Sequence, residues 1–117
     1  MGDILIGRGE DRIHLDGRYG NRHGLVAGAT GTGKSVSLMV MAEGFSRMGT
    51  PVFIADVKGD IAGLAMPGTM SERLQQRADT IGLADFRCEP NPVIFWDLYG
   101  ELGHPVRTTV SQVGPTL

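Results

Sequence analysis

The segment Gly28-Ala29-Thr30-Gly31-Thr32-Gly33-Lys34-Ser35 satisfies the pattern G-x-x-x-x-G-K-[ST] at every fixed position. The physics of that pattern is specific. Glycines let successive backbone N–H groups turn inward and approach a polyphosphate without Cβ clashes. A helix that follows such a loop directs its unpaired N–H groups and positive dipole end at the same anion. Gly28, Ala29, Thr30, Gly31, Thr32, Gly33, Lys34, Ser35 and Val36 are therefore the candidate nucleotide-binding residues. Lys34 reaches the β- and γ-phosphates as a point charge, and the Ser35 hydroxyl is suited to join a Mg²⁺ shell. The ligand set expected of the loop is ATP with Mg²⁺.

The flanking sequence supplies the context this loop requires. Leu25-Val26-Ala27 precedes it, an apolar run of the kind found in a strand buried on both faces. From Gly33 to about Met48 the pattern is helical, with Leu38, Met41, Phe45 and Met48 in one stripe that Val36 and Val40 widen. Gly49 and Pro51 predict the helix exit. Val52-Phe53-Ile54-Ala55 is the next buried-strand candidate and ends at Asp56. Strand, glycine loop, helix, strand is a βαβ unit, which predicts parallel strands and a right-handed crossover. The expected fold class is α/β, a P-loop NTPase sheet with flanking helices.

Further out, Ile4-Leu5-Ile6 and Arg12 to Leu15 read as short strands, followed by turn residues from Asp16 to Asn21. Thr69-Met70-Ser71-Glu72 fits a capping box with Thr69 as N-cap, opening a helix that runs to about Ile81 and stops at Gly82. Pro92 precedes a third apolar run, Val93-Ile94-Phe95-Trp96, which ends at Asp97. Thr108 to Ser111 is suited to open one more helix, and an element cut short there suggests a fragment.

Composition narrows the function classes. The 117 residues amount to one domain at most, and 41% hydrophobic with 21% charged residues excludes a disordered chain. Glycine is in excess, 18 residues against a usual ~7%, while only 6 prolines argue against collagen-like or Pro-rich sequence. A net charge of −2 offers no bulk electrostatic footprint for nucleic acid or an anionic membrane. Nine of the cations are arginine, and Lys34 and Lys58 are the only lysines, which makes an incidental lysine at the loop improbable. The lone Cys88 reads as a small apolar residue in a reducing compartment. With no signal peptide and no apolar run near ~18 residues, the expected location is cytoplasmic, with no membrane partner.

Hydrolysis asks for more than a cradle: a carboxylate at a neighbouring strand end to hold Mg²⁺, and a group that orients water. Asp56 and Asp97 both close apolar runs, and neither is followed by Glu. Asp56 is the stronger catalytic candidate beside Lys34, because its run directly follows the loop helix. Asp97 reads first as a turn residue. Lys58 and Asp60, around Gly59, suit either the nucleotide, a neighbouring subunit or a plain turn. A small P-loop metabolite kinase and a nucleotide-binding module without turnover stand as alternatives. The kinase reading calls for an Arg-rich lid, and only Arg107 follows Arg87.

Taken with Phe53-Ile54-Ala55-Asp56-Val57-Lys58-Gly59-Asp60, the His23-Gly24 lead into the loop, and His104-Pro105-Val106-Arg107-Thr108-Thr109, the chain resembles HerA-like ATPases of the HerA/FtsK superfamily. The likeness runs from Ile4 to Leu117. It implies a RecA-like ATPase fold, a hexameric ring and ATP-driven movement of DNA. By the same resemblance, Gly28, Gly31, Gly33, Lys34 and Ser35 are the phosphate and Mg²⁺ site. Asp56 is a family acidic position near the nucleotide, distinct from the main Mg²⁺ carboxylate. That carboxylate, its partner Glu and the arginine finger are expected beyond residue 117. The chain is thus expected to be the N-terminal part of such an ATPase, a hydrolase when full length and inactive alone.

Overall fold

A computed structural model describes residues 2–106. The chain opens with β1 (Asp3–Arg8) and β2 (Arg12–Asp16), which pair antiparallel. The register runs Leu5 to His14 and then Gly7 to Ile13, so Ile6 is the extra residue of a β-bulge. Asp16 ends β2 and caps a 3₁₀ turn over Gly17–Tyr19 by accepting from the Arg18 N–H. The Arg18 guanidinium, 2.6 Å from the same carboxylate, holds Asp16 below the usual carboxylate range.

The loop Gly28–Gly33 leads into α1 (Lys34–Arg47), as the apolar stripe predicts. Gly49, at φ +81°, turns the chain out of the helix; the Met48 N–H donates to the Gly44 and Phe45 carbonyls and the Gly49 N–H to the Ser46 carbonyl. The core lies where α1 meets β1. Ile4 is 5% exposed there, packed on Gly44, at which a Cβ would fall 2.6 Å from the Ile4 Cγ2. Met41, Phe45 and Met48 are half-buried on this side, whereas Val36, Leu38 and Val40 remain exposed. Only part of the predicted stripe is therefore used.

The second helix, α2 (Glu72–Ile81), begins two residues later than the capping box predicts. Its N-cap is Ser71, whose hydroxyl accepts from the Leu74 N–H at 3.2 Å, and Glu72 is the first helical residue rather than N3. Ser and Thr cap through the same hydroxyl oxygen, and the extended backbone of Ser71 (φ −115°, ψ 158°) places the cap there. Gly82 ends the helix at φ +81°, as expected. The hairpin holds that end: Arg8 donates to the Thr80 carbonyl at 3.0 Å, and Arg12 donates to the Gly82 carbonyl. Cations at a helix C-terminus also suit its dipole.

The apolar runs 25–27 and 52–55 carry no strand pairing in this structure. A strand is defined by its hydrogen-bonded neighbour; runs 25–27 and 52–55 have none among the described residues, whereas the predicted run 93–96 is paired at its end, where the Phe95 carbonyl accepts from the His104 N–H at 2.9 Å and Trp96 lies opposite His104. Leu25 is 90% exposed, Phe53 89% and Ile94 71%. The parallel pairing found among the described residues joins β3 (Trp96–Asp97) to β4 (His104–Pro105), with Trp96 opposite His104. The Thr108–Ser111 helix start lies outside the described residues.

Candidate functional site

The loop between Gly28 and Lys34 has the backbone its glycines suggest. Gly31 stands at φ +80° and Gly33 at φ +95°, conformations that L side chains rarely adopt. A Cβ at either position would meet nothing within 4 Å, so the space beside both glycines is open. Gly33 is the N-cap of α1, and no side chain caps this end. The first-turn N–H groups of α1 thus lack an intrahelical partner, as at any helix start. Further in, Ser37 is tied to the loop by its N–H and hydroxyl, both on the Gly33 carbonyl at 3.0 and 3.2 Å.

Three donors converge on one acceptor within the loop. The Ala29 carbonyl accepts from the Thr32 N–H at 3.3 Å, the Thr32 hydroxyl at 2.6 Å and the Lys34 ammonium at 2.8 Å. Lys34 is half-buried, its head folded back over the loop. Thr30, Ser35 and Val36 are exposed around it. The contiguous candidates therefore gather at one helix N-terminus, with open space, free N–H groups and one ammonium. That donor set fits a polyphosphate, and the exposed Ser35 hydroxyl beside it is of the hard-oxygen type that Mg²⁺ prefers. The Thr32 hydroxyl contact is one the motif does not disclose; a threonine three residues after the start of a tight turn is its sequence signal.

The two candidate acids are engaged elsewhere. Asp56 accepts the Gly59 N–H at 2.8 Å through one oxygen and the Ile61 N–H at 3.1 Å through the other. Its carboxylate thereby shapes the turn 56–61, in which Gly59 has φ +81° and Lys58 is exposed. Asp97 accepts N–H groups of Tyr99 at 3.2 Å, Glu101 at 2.9 Å and Leu102 at 3.0 Å. The Leu102 N–H foremost, then those of Tyr99 and Glu101, holds the Asp97 carboxyl below the usual carboxylate range. Neither carboxylate is bonded to the glycine loop. The turn reading of Asp97 matches this geometry, and Asp56 has the same kind of structural duty.

A hollow of about 480 Å³, lined in part by Arg18, Asn21, Phe45 and Phe53, contains no residue of the glycine loop. Among the described residues, no helix is long and apolar enough to cross a membrane.

Comparison with known families agrees with the resemblance drawn from the sequence. The family model described as helicase HerA-like C-terminal matches residues 3–117. Among curated proteins and among solved structures, nothing matches the chain significantly. The matched model is that of a C-terminal region, which corrects the placement of this chain at the N-terminal end of such a protein. The order of motifs locates the glycine loop within its own domain and carries no information on what else the protein contains. The chain belongs to the HerA-like helicase family.

Proposed function

We propose that this chain binds ATP with Mg²⁺ through residues 28–36 and forms the phosphate-binding part of a HerA-like ATPase. The observation that carries the reading is the conjunction at Gly33: two positive-φ glycines, an uncapped helix start and a lysine head over the loop. In the bound state the N–H groups of Gly31 and of Gly33 to Val36 would face the phosphates, Lys34 would contact the β- and γ-phosphates, and Ser35 would hold Mg²⁺. Mg²⁺ supplies charge neutralisation on those phosphates.

The same reading extends to a RecA-like parallel sheet built from runs 25–27, 52–55 and 93–96. It is supported by the order apolar run, loop, helix, apolar run, and by the apolar side chains those runs expose. By family membership, the assembled ATPase is proposed to act as a hexameric ring on DNA. Turnover by this chain alone is proposed to be slow or absent, since Asp56 and Asp97 both serve their own turns. That observation favours nucleotide binding without turnover as the property of the chain by itself.

The test is titration of the chain with Mg·ATP by calorimetry, wild type against Lys34→Ala, with phosphate release followed in parallel. Loss of the lysine contact should weaken binding by ~10-fold or more, as expected for a charge-assisted bond worth about 1.5–3 kcal/mol. Equal affinities would overturn the assignment. Rapid Lys34-dependent phosphate release would overturn the inactive state of the chain and promote Asp56 or Asp97 to metal ligand.

A further inference from the structure

The geometry points to Thr32 as a positioning residue that keys the loop against Gly28 and frees Lys34 for the nucleotide. This rests on the ATP-binding reading for its consequence, though the contacts stand by themselves. Gly28 is not among the positive-φ glycines, so its backbone admits an L residue. What excludes a side chain is the neighbour: a Cβ at Gly28 would lie 2.6 Å from the Thr32 Oγ1. The next nearest atoms, the Lys34 Cγ at 3.5 Å and the Thr32 Cβ at 3.6 Å, are at ordinary contact distance. A side chain at the first glycine of the motif would therefore displace the Thr32 hydroxyl from its place.

That hydroxyl occupies the space over Gly28 because it donates to the Ala29 carbonyl at 2.6 Å. A carbonyl oxygen has two lone pairs, and Ala29 already faces the Thr32 hydroxyl, the Thr32 N–H and the Lys34 ammonium. When Lys34 leaves for a phosphate, the Thr32 hydroxyl keeps the carbonyl bonded. Without it, only the long 3.3 Å N–H contact remains, and release of Lys34 leaves the acceptor poorly satisfied. Because the peptide is planar, pinning this oxygen also fixes the orientation of the Thr30 N–H in the same peptide unit. Thr32 thus acts through Ala29 and Lys34.

The experiment is a double-mutant cycle on the full chain with two readouts. Affinity for Mg·ATP should fall ~2–10-fold in Thr32→Ala, the equivalent of one ordinary hydrogen bond. Thr32→Ser, which keeps the hydroxyl, should recover most of that loss, and Thr32→Val should not. Gly28→Ala should weaken binding at least as much as Thr32→Ala, whereas Gly28→Ala/Thr32→Ala should be no weaker than Thr32→Ala alone. Hydrogen exchange of the peptide covering residues 28–37, measured without nucleotide, should show the same pattern: faster in either single variant, with no added effect in the double. Additive penalties from Gly28→Ala and Thr32→Ala in both readouts, or Thr32→Val behaving as wild type, would overturn the proposal. If wild type fails to bind Mg·ATP, the proposed function falls, and the nucleotide-free exchange cycle alone decides whether Thr32 keys the loop.

Discussion

Gly44→Ala tests the packing that holds the chain together. Two effects oppose each other. Alanine in a helix interior is favoured over glycine by about 0.5–1 kcal/mol, so a bare helix would be stabilised. In this structure the added Cβ would sit 2.6, 2.8 and 3.0 Å from the Ile4 Cγ2, Cγ1 and Cδ1. Ile4 is 5% exposed, and its β-branch leaves few alternative rotamers, so relief requires β1 to shift off α1. Overpacking of this kind costs about 1–3 kcal/mol. Three contacts on a stiff side chain put the cost in the upper half of that range, for a net destabilisation of about 1–2 kcal/mol. Thermal unfolding followed by circular dichroism should register a fall of several degrees, at roughly 4 °C per kcal/mol for a chain this size. Ile4→Ala alone should cost about 2–5 kcal/mol, and adding Gly44→Ala to it should then raise stability by about 0.5–1 kcal/mol rather than lower it, because all three clashing atoms are gone. A Gly44→Ala variant more stable than wild type would show that helix propensity is unopposed and that the hairpin does not rest on α1 at Gly44.

Two further outcomes follow from local geometry. Ser71→Ala removes the N-cap of α2 and should cost about 1 kcal/mol in a denaturant titration, while Thr69→Ala should cost little, reversing the order expected from the capping box. The Asp97 carboxyl is depressed in the folded state, so its contribution to holding the turn 97–102 is complete above the unfolded value of 3.8 and is lost as pH falls through the lower folded value. Fluorescence of Trp96, the single tryptophan, should report that acid transition, and Asp97→Asn should abolish it; an unchanged acid profile in the variant would refute the assignment.

Much of the loop and its helix was legible from spacing alone. The pattern 28–35, the stripe of α1 and the stops at Gly49 and Gly82 are local signals, and each maps to a local event: a positive φ, a helix start, a helix end. The cap of α2 misread by two residues shows the limit of such signals. Thr69 and Ser71 carry equivalent hydroxyls, and the backbone entering the helix chose between them. The acids were the harder case. An aspartate closing an apolar run looks the same whether it faces a metal or folds onto the next N–H groups, and for Asp56 and Asp97 the turns downstream supply those N–H groups.

From the sequence alone came the glycine loop, the helix behind it and the family, because all three depend on residue type at fixed short spacing. Tertiary structure alone decided that Ile4 packs on Gly44, that Arg8 and Arg12 hold the end of α2, and that Thr32 fills the space over Gly28. These are meetings in space, most between residues far apart in the chain. Steric exclusion and hydrogen-bond satisfaction act on distance through space, which spacing along the chain does not encode.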